Sequence, residues 1–583
     1  MRKRTVEWLN HYGTISALSR NRKPQGVSNM ADHILVCTAW PYANGPLHLG
    51  HIAGCYLPAD IFARYQRMIG NKVLMVSGSD QHGTPITLHA EQRGITPKEV
   101  VDEYHKSFVD CWDRLGISFD CFTSTGTENH RQTVHEIFEK LYETDRIYET
   151  PVLLPYCAAC ERFLPDRYVE GKCPHCLSSG ARGDQCDNCG KTLEPSELID
   201  LRCKLSGDSP TLQESTHLFF RLSDFRDQLA LWVSGNTHWR TNTSNFTKRF
   251  LEDGLKDRAI TRDIDWGISI PVTGYEDKRI YVWFEAVIGY LSASREWANT
   301  INDPDAWQEF WNEDSKSYYF IGKDNIPFHT IIWPAMLLGY GNLPLPYDVP
   351  ANEFLNLEGR QLSTSRNWAV WVPDYLDNHE PDPLRYCLSA GMPETSDADF
   401  SWNEYVRRNN DELVATYGNL IHRTLTLVQK HFSGKVPQPS SLDTPDQELI
   451  TATSETMVAV GDYLQNCHFR QGMQAIMRLA QQGNRYINDK EPWATIKTNQ
   501  QLTATTLWVA LNTISALKVM MTPYLPFSSE QLHTMLGQEG TAAEMTWAMP
   551  ELVPNHQMNQ PERLFKKFDT SIIEQEQARM EQP

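Results

Sequence analysis

The chain has 583 residues, 40% of them hydrophobic and 11% aromatic, which excludes a disordered or fibrous protein and provides core for roughly three to four domains. A formal net charge of −19 excludes a protein that coats nucleic acid through general basicity, so any RNA contact must come from local patches. The longest apolar runs, such as 331–338, fall short of the ~20 residues that cross a bilayer, and no membrane segment is expected.

Residues 1–30 carry Arg2, Lys3, Arg4, Arg20, Arg22 and Lys23 against Glu7 alone, without a clean apolar stretch. They read as a disordered N-terminal extension. The apolar run 34–40 predicts a buried parallel strand, followed by a loop of Pro, Asn and Gly and a helix over 49–69. A second strand at 72–76 ends in Ser77-Gly78-Ser79-Asp80. This strand–helix–strand order is a βαβ unit, so a Rossmann-type open parallel sheet is expected, with its ligand crevice at the carboxyl ends of the strands. From about 151 to 206 the chain turns rich in Cys, Gly, Pro and Asp, marking a metal-stapled insertion. Strand and helix patterns resume near Ile280 and over 318–338. Beyond about Pro393, long helical patterns at 404–432, 446–482 and 504–521 predict a separate helical bundle. The expected division is an α/β catalytic domain at 31–150 and 251–394, a connective insertion at 151–250 and a helical domain at 395–583.

The strongest local signal is Pro41-Tyr42-Ala43-Asn44-Gly45-Pro46-Leu47-His48-Leu49-Gly50-His51. Two imidazoles at a strand-to-helix handover can face nucleotide phosphates, with the helix N-terminus adding N–H donors and Gly50 permitting close approach. Of 13 cysteines, six form three C-x-x-C pairs between Cys157 and Cys189. The set Cys173, Cys176, Cys186 and Cys189 supplies four thiolates from two knuckles, the arrangement that tetrahedral structural zinc favours. The clustering points to a reducing, cytoplasmic compartment rather than a disulfide framework.

The Pro41–His51 segment resembles the signature of class I aminoacyl-tRNA synthetases, and Ala39-Trp40-Pro41-Tyr42-Ala43-Asn44-Gly45 resembles its methionyl version. Ser79-Asp80-Gln81-His82-Gly83-Thr84-Pro85, Tyr281-Val282-Trp283-Phe284-Glu285-Ala286 and the block 320–329 resemble further segments of that family in the same order, so the resemblance covers about 33–570. It implies a methionine pocket from Ala39, Trp40, Tyr42, Trp283, Ala286, Tyr290 and His329, with Asp80 near the amino group. An aromatic-lined slot suits a polarizable thioether. His48 and His51 would stabilise charge on the α-phosphate, and Lys323 and Asp324 would contact nucleotide and substrate. Asn44, Gly50, Arg360 and Thr364 match ATP-contacting positions. Ser363 and Ser365 fall in the second signature loop, Gly359-Arg360-Gln361-Leu362-Ser363-Thr364-Ser365-Arg366-Asn367, where this chain departs from the family. Gln361 and Thr364 occupy its two lysine positions, leaving Arg360 and Arg366 as the nearby cations.

In the bundle, Asn419, Arg423 and Trp493 match positions that read a CAU anticodon. The pair Cys157 and Cys160 matches a second family knuckle, closed here by Cys203-x-x-Ser206, so a second zinc site would have three thiolates. The implied partners are ATP with Mg2+, L-methionine and tRNA(Met), for a monomer that does not enter a membrane. Two alternatives stay open: a paralogue that adenylates an amino acid for a non-tRNA acceptor, and a catalytically weak tRNA-binding protein.

Overall fold

The computed structural model describes residues 31–580 except 166–167, 184–185, 187, 190, 192 and 364–366. The chain from His33 onward forms one compact unit. The expected extension at 1–30 and the loop residues Thr364, Ser365 and Arg366 lie outside the described residues.

Strand β1 (His33–Thr38) is buried at every position after His33, as an apolar run in a sheet covered on both faces must be. The helix expected over 49–69 is interrupted. A short turn at Leu49–His51 widens into a π-turn at Ile52–Tyr56 before α1 (Leu57–Met68) begins. Pro58 has no N–H to return to Gly54, and the Leu57 N–H reaches back to Ile52 instead, which widens the turn. Strand β2 (Lys72–Ser79) follows. Helix α2 (Pro97–Leu115) starts at a capping box, in which Thr96 Oγ1 accepts from the Glu99 N–H and the Glu99 carboxylate accepts from the Thr96 N–H. It stops at Gly116, whose φ of +69° suits a residue without a Cβ. Strand β3 (Cys121–Ser124) and helix α3 (Glu128–Glu143) come next.

The insertion is built on a long antiparallel ladder between β4 (Ile147–Cys157) and β5 (Thr211–Phe220), registered from Ile147 opposite Phe220 to Tyr156 opposite Thr211. Chain and sheet rejoin through α4 (Gly289–Thr300), β6 (Lys316–Gly322) and β7 (Ala351–Asn352). The central sheet has the order β7–β6–β1–β2–β3, with every pairing parallel. Because β1 pairs with β2 on one side and β6 on the other, strand order reverses there, and the crevice opens at its carboxyl end.

The C-terminal part is helical, with α5 (Asn419–Phe432), α6 (Thr444–Gln465), α7 (Phe469–Lys490) and α8 (Gln500–Met521). The helix expected over 446–482 is two helices, broken where Cys467 takes φ +56°. The break is hidden in the sequence because Leu464 and Phe469, on its two sides, are both fully buried. The segment 404–432 is helical throughout but contains a π-helical stretch at Arg408–Gly418. Helix α8 corrects the membrane reading in one respect, since by length and composition it is apolar enough to cross a bilayer. Of its most apolar window 94% is buried inside the protein, as expected of the central helix of a bundle.

Bundle and catalytic part are tied through the buried Arg385, which pairs with an acid of the catalytic part and donates to carbonyls of the bundle. Arg385 donates to Asp60 of α1 at 2.6 Å and to the carbonyls of Leu115, Pro523 and Tyr524. Burial opposes the Asp60 charge, but Arg64 and Arg385 outweigh it and hold its carboxyl down at about 2. All of these donors and acceptors are satisfied, which is the condition under which a buried pair is tolerated.

Candidate active site

At the carboxyl end of β1 the chain runs through Ala39 and Trp40 to the two histidines. The Asp80 N–H donates to the Pro41 carbonyl and the Ala43 N–H to the Asp80 carbonyl, both at 2.8 Å, so this loop is sewn to the end of β2. His48 and His51 stack with ring centroids 3.8 Å apart. The His48 backbone N–H donates to His51 Nδ1 at 3.1 Å, which makes Nδ1 an acceptor and leaves the proton on Nε2. Burial pushes His51 down to about 4. Burial and the neighbouring His51 lower His48 well below the ordinary histidine range. Both rings are therefore neutral hydrogen-bond donors at pH 7, and His48 Nδ1 is buried with no protein partner.

The second signature loop docks directly on this pair. The Leu49 N–H donates to Val370 and the Val372 N–H to Leu47, while Ser363 and Trp368 exchange backbone hydrogen bonds at the loop's neck. A Cβ on Gly50 would lie 2.8 Å from Leu362 and 2.9 Å from His48, so glycine at this position admits the loop itself. Arg360 and Gln361 form a short exposed strand, with the Arg360 guanidinium 4.8 Å from the centre of the Trp368 ring. Lys323 is held by Glu353 and Asp397 at 2.8 and 2.7 Å, two acids that the sequence reading did not single out. Asp324, beside it, is exposed. The half-buried Asn44 follows the same loop, its N–H donating to Tyr42.

The aromatic residues among those predicted meet in two groups, Trp40 with Tyr290 and His329, and Tyr42 with Trp283. The Trp40 indole faces Tyr290 edge-on at 6.5 Å, and Tyr42 faces Trp283 edge-on at 5.9 Å. Trp283 stacks on Phe328 at 4.1 Å, a partner not predicted. The Tyr290 hydroxyl lies 2.6 Å from His329 Nε2, and His329 Nδ1 lies 2.9 Å from the Asn325 carbonyl. Since a carbonyl only accepts, Nδ1 carries the proton and Nε2 accepts from Tyr290. Burial keeps His329 neutral, down at about 4. Ala39 is fixed by its N–H to the Phe320 carbonyl and by Tyr56 Oη donating to its own carbonyl. Ala286 is buried beside Glu285. Asp80 is buried, and burial together with Glu285 raises its carboxyl well above the usual range.

The cysteines assemble as their spacing requires. The ligand atoms of Cys173, Cys176, Cys186 and Cys189 all lie within 4.8 Å of one another. The Cys173–Cys189 and Cys176–Cys186 sulfurs are 3.8 and 3.6 Å apart. A tetrahedral zinc with Zn–S bonds of about 2.3 Å requires sulfurs about 3.8 Å apart, so the donors fit. Cys157, Cys160 and Cys203 form a second such group, with Ser206 Oγ 3.4 Å from the Cys157 sulfur.

On the bundle, Arg423 donates to Asn488 at 2.9 Å and lies 5.1 Å over the Trp493 ring, which is 41% exposed. Asn419, one turn before Arg423, meets Asn484. The three predicted residues therefore share a face with two asparagines of α7. Of the basic residues nearby, Arg407, Arg408 and Lys490 are taken up in ion pairs with Glu404, Glu412, Asp443 and Asp446.

A parallel sheet with neutral stacked imidazoles following its first strand, a cluster of aromatic side chains on the same segment and a helical bundle packed against it defines a Rossmann-type enzyme of nucleotide-dependent activation. The family model for tRNA synthetases class I (M) matches residues 34–425, and that for the anticodon binding domain of methionyl tRNA ligase matches 436–582. Methionine–tRNA ligase of Dehalococcoides mccartyi is 56% identical over 551 residues, covering 94% of this chain and 100% of that protein. The one from Thermomicrobium roseum is 49% identical, covering 94% and 99%. Among solved structures, Mycobacterium tuberculosis methionyl-tRNA synthetase in complex with methionyl-adenylate is similar at 25% identity with a TM-score of 0.77, covering 92% of this chain and 99% of that one. The chain belongs to the methionyl-tRNA synthetase family.

Proposed function

We propose that this chain joins L-methionine to ATP, forming methionyl-adenylate and releasing pyrophosphate, and then transfers the methionyl group to tRNA(Met) with AMP as leaving group. The observation that carries the reading is that one backbone segment, Ala39–His51, brings the indole of Trp40 and the stacked His48–His51 pair to the mouth of the same sheet. The methionine side chain enters the slot of Ala39, Trp40, Tyr42, Trp283, Ala286, Tyr290 and His329, where sulfur meets ring edges. Its ammonium faces Asp80. As the carboxylate oxygen attacks the α-phosphorus, His48 and His51 donate N–H groups to the phosphate oxygens, a neutral and preorganised stabilisation. Lys323, Asp324, Asn44, Gly50, Arg360, Thr364, Ser363 and Ser365 contact nucleotide or substrate, Mg2+ accompanies ATP, and Arg360 and Arg366 are the cations nearest in the chain to Gln361.

The catalytic domain is 31–150 with 251–394, the insertion 151–250 and the anticodon domain 395–583. Asn419, Arg423 and Trp493 read the anticodon by hydrogen bonding and stacking. Zinc at Cys173, Cys176, Cys186 and Cys189 is structural, and the three-thiolate group with Ser206 is a weaker second site. The protein acts as a cytoplasmic monomer.

Methionine-dependent ATP–pyrophosphate exchange, followed by charging of initiator and elongator tRNA(Met), tests the proposal. Exchange without charging would replace tRNA by another acceptor, and tRNA binding without exchange would remove the enzymatic reading.

A further inference from the structure

We propose that Glu285, gripped by His82 and His130, is the positioning residue of the amino-acid pocket, holding the Asp80 carboxylate and the Trp40 indole where the substrate meets them. The inference deepens the reading above and rests on it. Glu285 and His130 are completely buried and His82 nearly so. One carboxylate oxygen of Glu285 is 2.7 Å from His82 Nδ1 and the other 3.0 Å from His130 Nε2. Both lone-pair fronts of the carboxylate are thereby satisfied, the condition for keeping a charge in such a place.

Each imidazole continues to a pocket wall. The backbone N–H of His82 donates to Asp80 Oδ1 at 3.2 Å, so the residue that holds Glu285 also orients the carboxylate facing the ammonium. His130 Nδ1 lies 2.8 Å from Ser292 Oγ, whose hydroxyl donates to the Gly289 carbonyl. With that hydroxyl turned away, both ring nitrogens of His130 face acceptors. The His130 ring lies 6.1 Å from the Trp40 ring, and the indole is wedged against Gly289 and Gly78, where an added Cβ would come within 2.6 and 2.3 Å of it. Glu285, itself completely buried, thus joins α3, the end of β2 and, through His130 and Ser292, α4.

Burial works against the Glu285 charge, yet His82 and His130 outweigh it and keep the group below the ordinary carboxylate range. The neighbouring Asp80 is moved in the opposite sense. This divergence of two adjacent acids agrees with one being compensated within the protein and the other left for a cationic ligand.

The test is methionine-dependent ATP–pyrophosphate exchange with wild type, Glu285→Gln, Glu285→Asp and His82→Gln, alongside thermal unfolding of each. Glu285→Gln keeps the shape and removes the charge, and is expected to raise KM for methionine about tenfold or more, leaving KM for ATP within about twofold. Glu285→Asp should recover most of the methionine affinity, and His82→Gln should reproduce the methionine-selective loss should Glu285→Gln not fold. Methionine KM unchanged in a folded Glu285→Gln or His82→Gln, both KM values rising together, or no recovery with Asp, would overturn the role of Glu285. Wild-type exchange that does not depend on methionine would instead remove the pocket assignment beneath it.

Discussion

Replacing Gly78 by alanine probes the wall of the slot where it has no slack. An ideal Cβ there would sit 2.3 and 2.5 Å from the Trp40 ring and 2.6 Å from the Thr123 carbonyl oxygen, whereas carbon contacts settle at about 3.5–4 Å. Gly78 pairs with Thr123 across the β2–β3 ladder, so relief of the carbonyl contact strains the sheet, and the indole must in addition shift by about 1 Å. Overpacking of this kind costs about 1–3 kcal/mol, which lowers Tm. The displaced indole should also raise KM for methionine by about tenfold or more, because misplacement of about 1 Å in a binding wall is costly. Thermal unfolding and ATP–pyrophosphate exchange at varied methionine measure the two effects. Gly235→Ala, where a Cβ meets nothing within 4 Å, is the control. Wild-type Tm together with wild-type KM in Gly78→Ala would refute the placement of Trp40.

Cys173→Ser should lower bound zinc by about one ion per chain, read by elemental analysis; unchanged zinc would refute the four-thiolate site. Trp493→Ala should raise KM for tRNA by about five- to a hundredfold, as loss of a base-stacking platform worth about 1–3 kcal/mol requires, and should leave pyrophosphate exchange untouched. A parallel loss of exchange would show that the bundle face acts on the catalytic site instead. His329, held at about 4 when folded, protonates near 6.5 once unfolded, so the unfolded chain binds the extra proton between those values. The stability it supports is complete above pH 6.5 and declines as pH falls toward 4, by about 3 kcal/mol in total. Urea midpoints measured across that range should fall less steeply in His329→Asn than in wild type, and equal slopes would contradict a neutral, buried His329.

Local patterns were legible where local physics decides them. The apolar run at β1, the glycine-punctuated handover to the two histidines and the C-x-x-C spacing each constrain a few adjacent residues. The sheet, the imidazole pair and the four-sulfur cluster follow directly from them. The break between α6 and α7 was not legible, because apolar periodicity resumes after Cys467 and a single left-handed residue leaves no compositional trace. The Glu285 network was equally silent, since its partners His82 and His130 lie 203 and 155 residues away in the chain. Lys323 shows the same limit: its partner acids, Glu353 and Asp397, lie 30 and 74 residues on, brought to it by β7 and by the turn after Met392.

The departure at Gln361 falls on a position that does not anchor the loop. Docking is carried by backbone pairing of Leu47 and Leu49 with Val372 and Val370, and by Leu362 packed on Gly50. Gln361 itself stands exposed on its short strand. Because these contacts are made by backbone groups and by Leu362, an amide in place of an ammonium at the exposed position 361 leaves the approach of the loop to the histidines intact. What the substitution removes is charge alone, and the cation that remains next to it, Arg360, is braced on the indole of Trp368. The loop has therefore kept the part of its design that depends on shape while position 361 itself carries no charge.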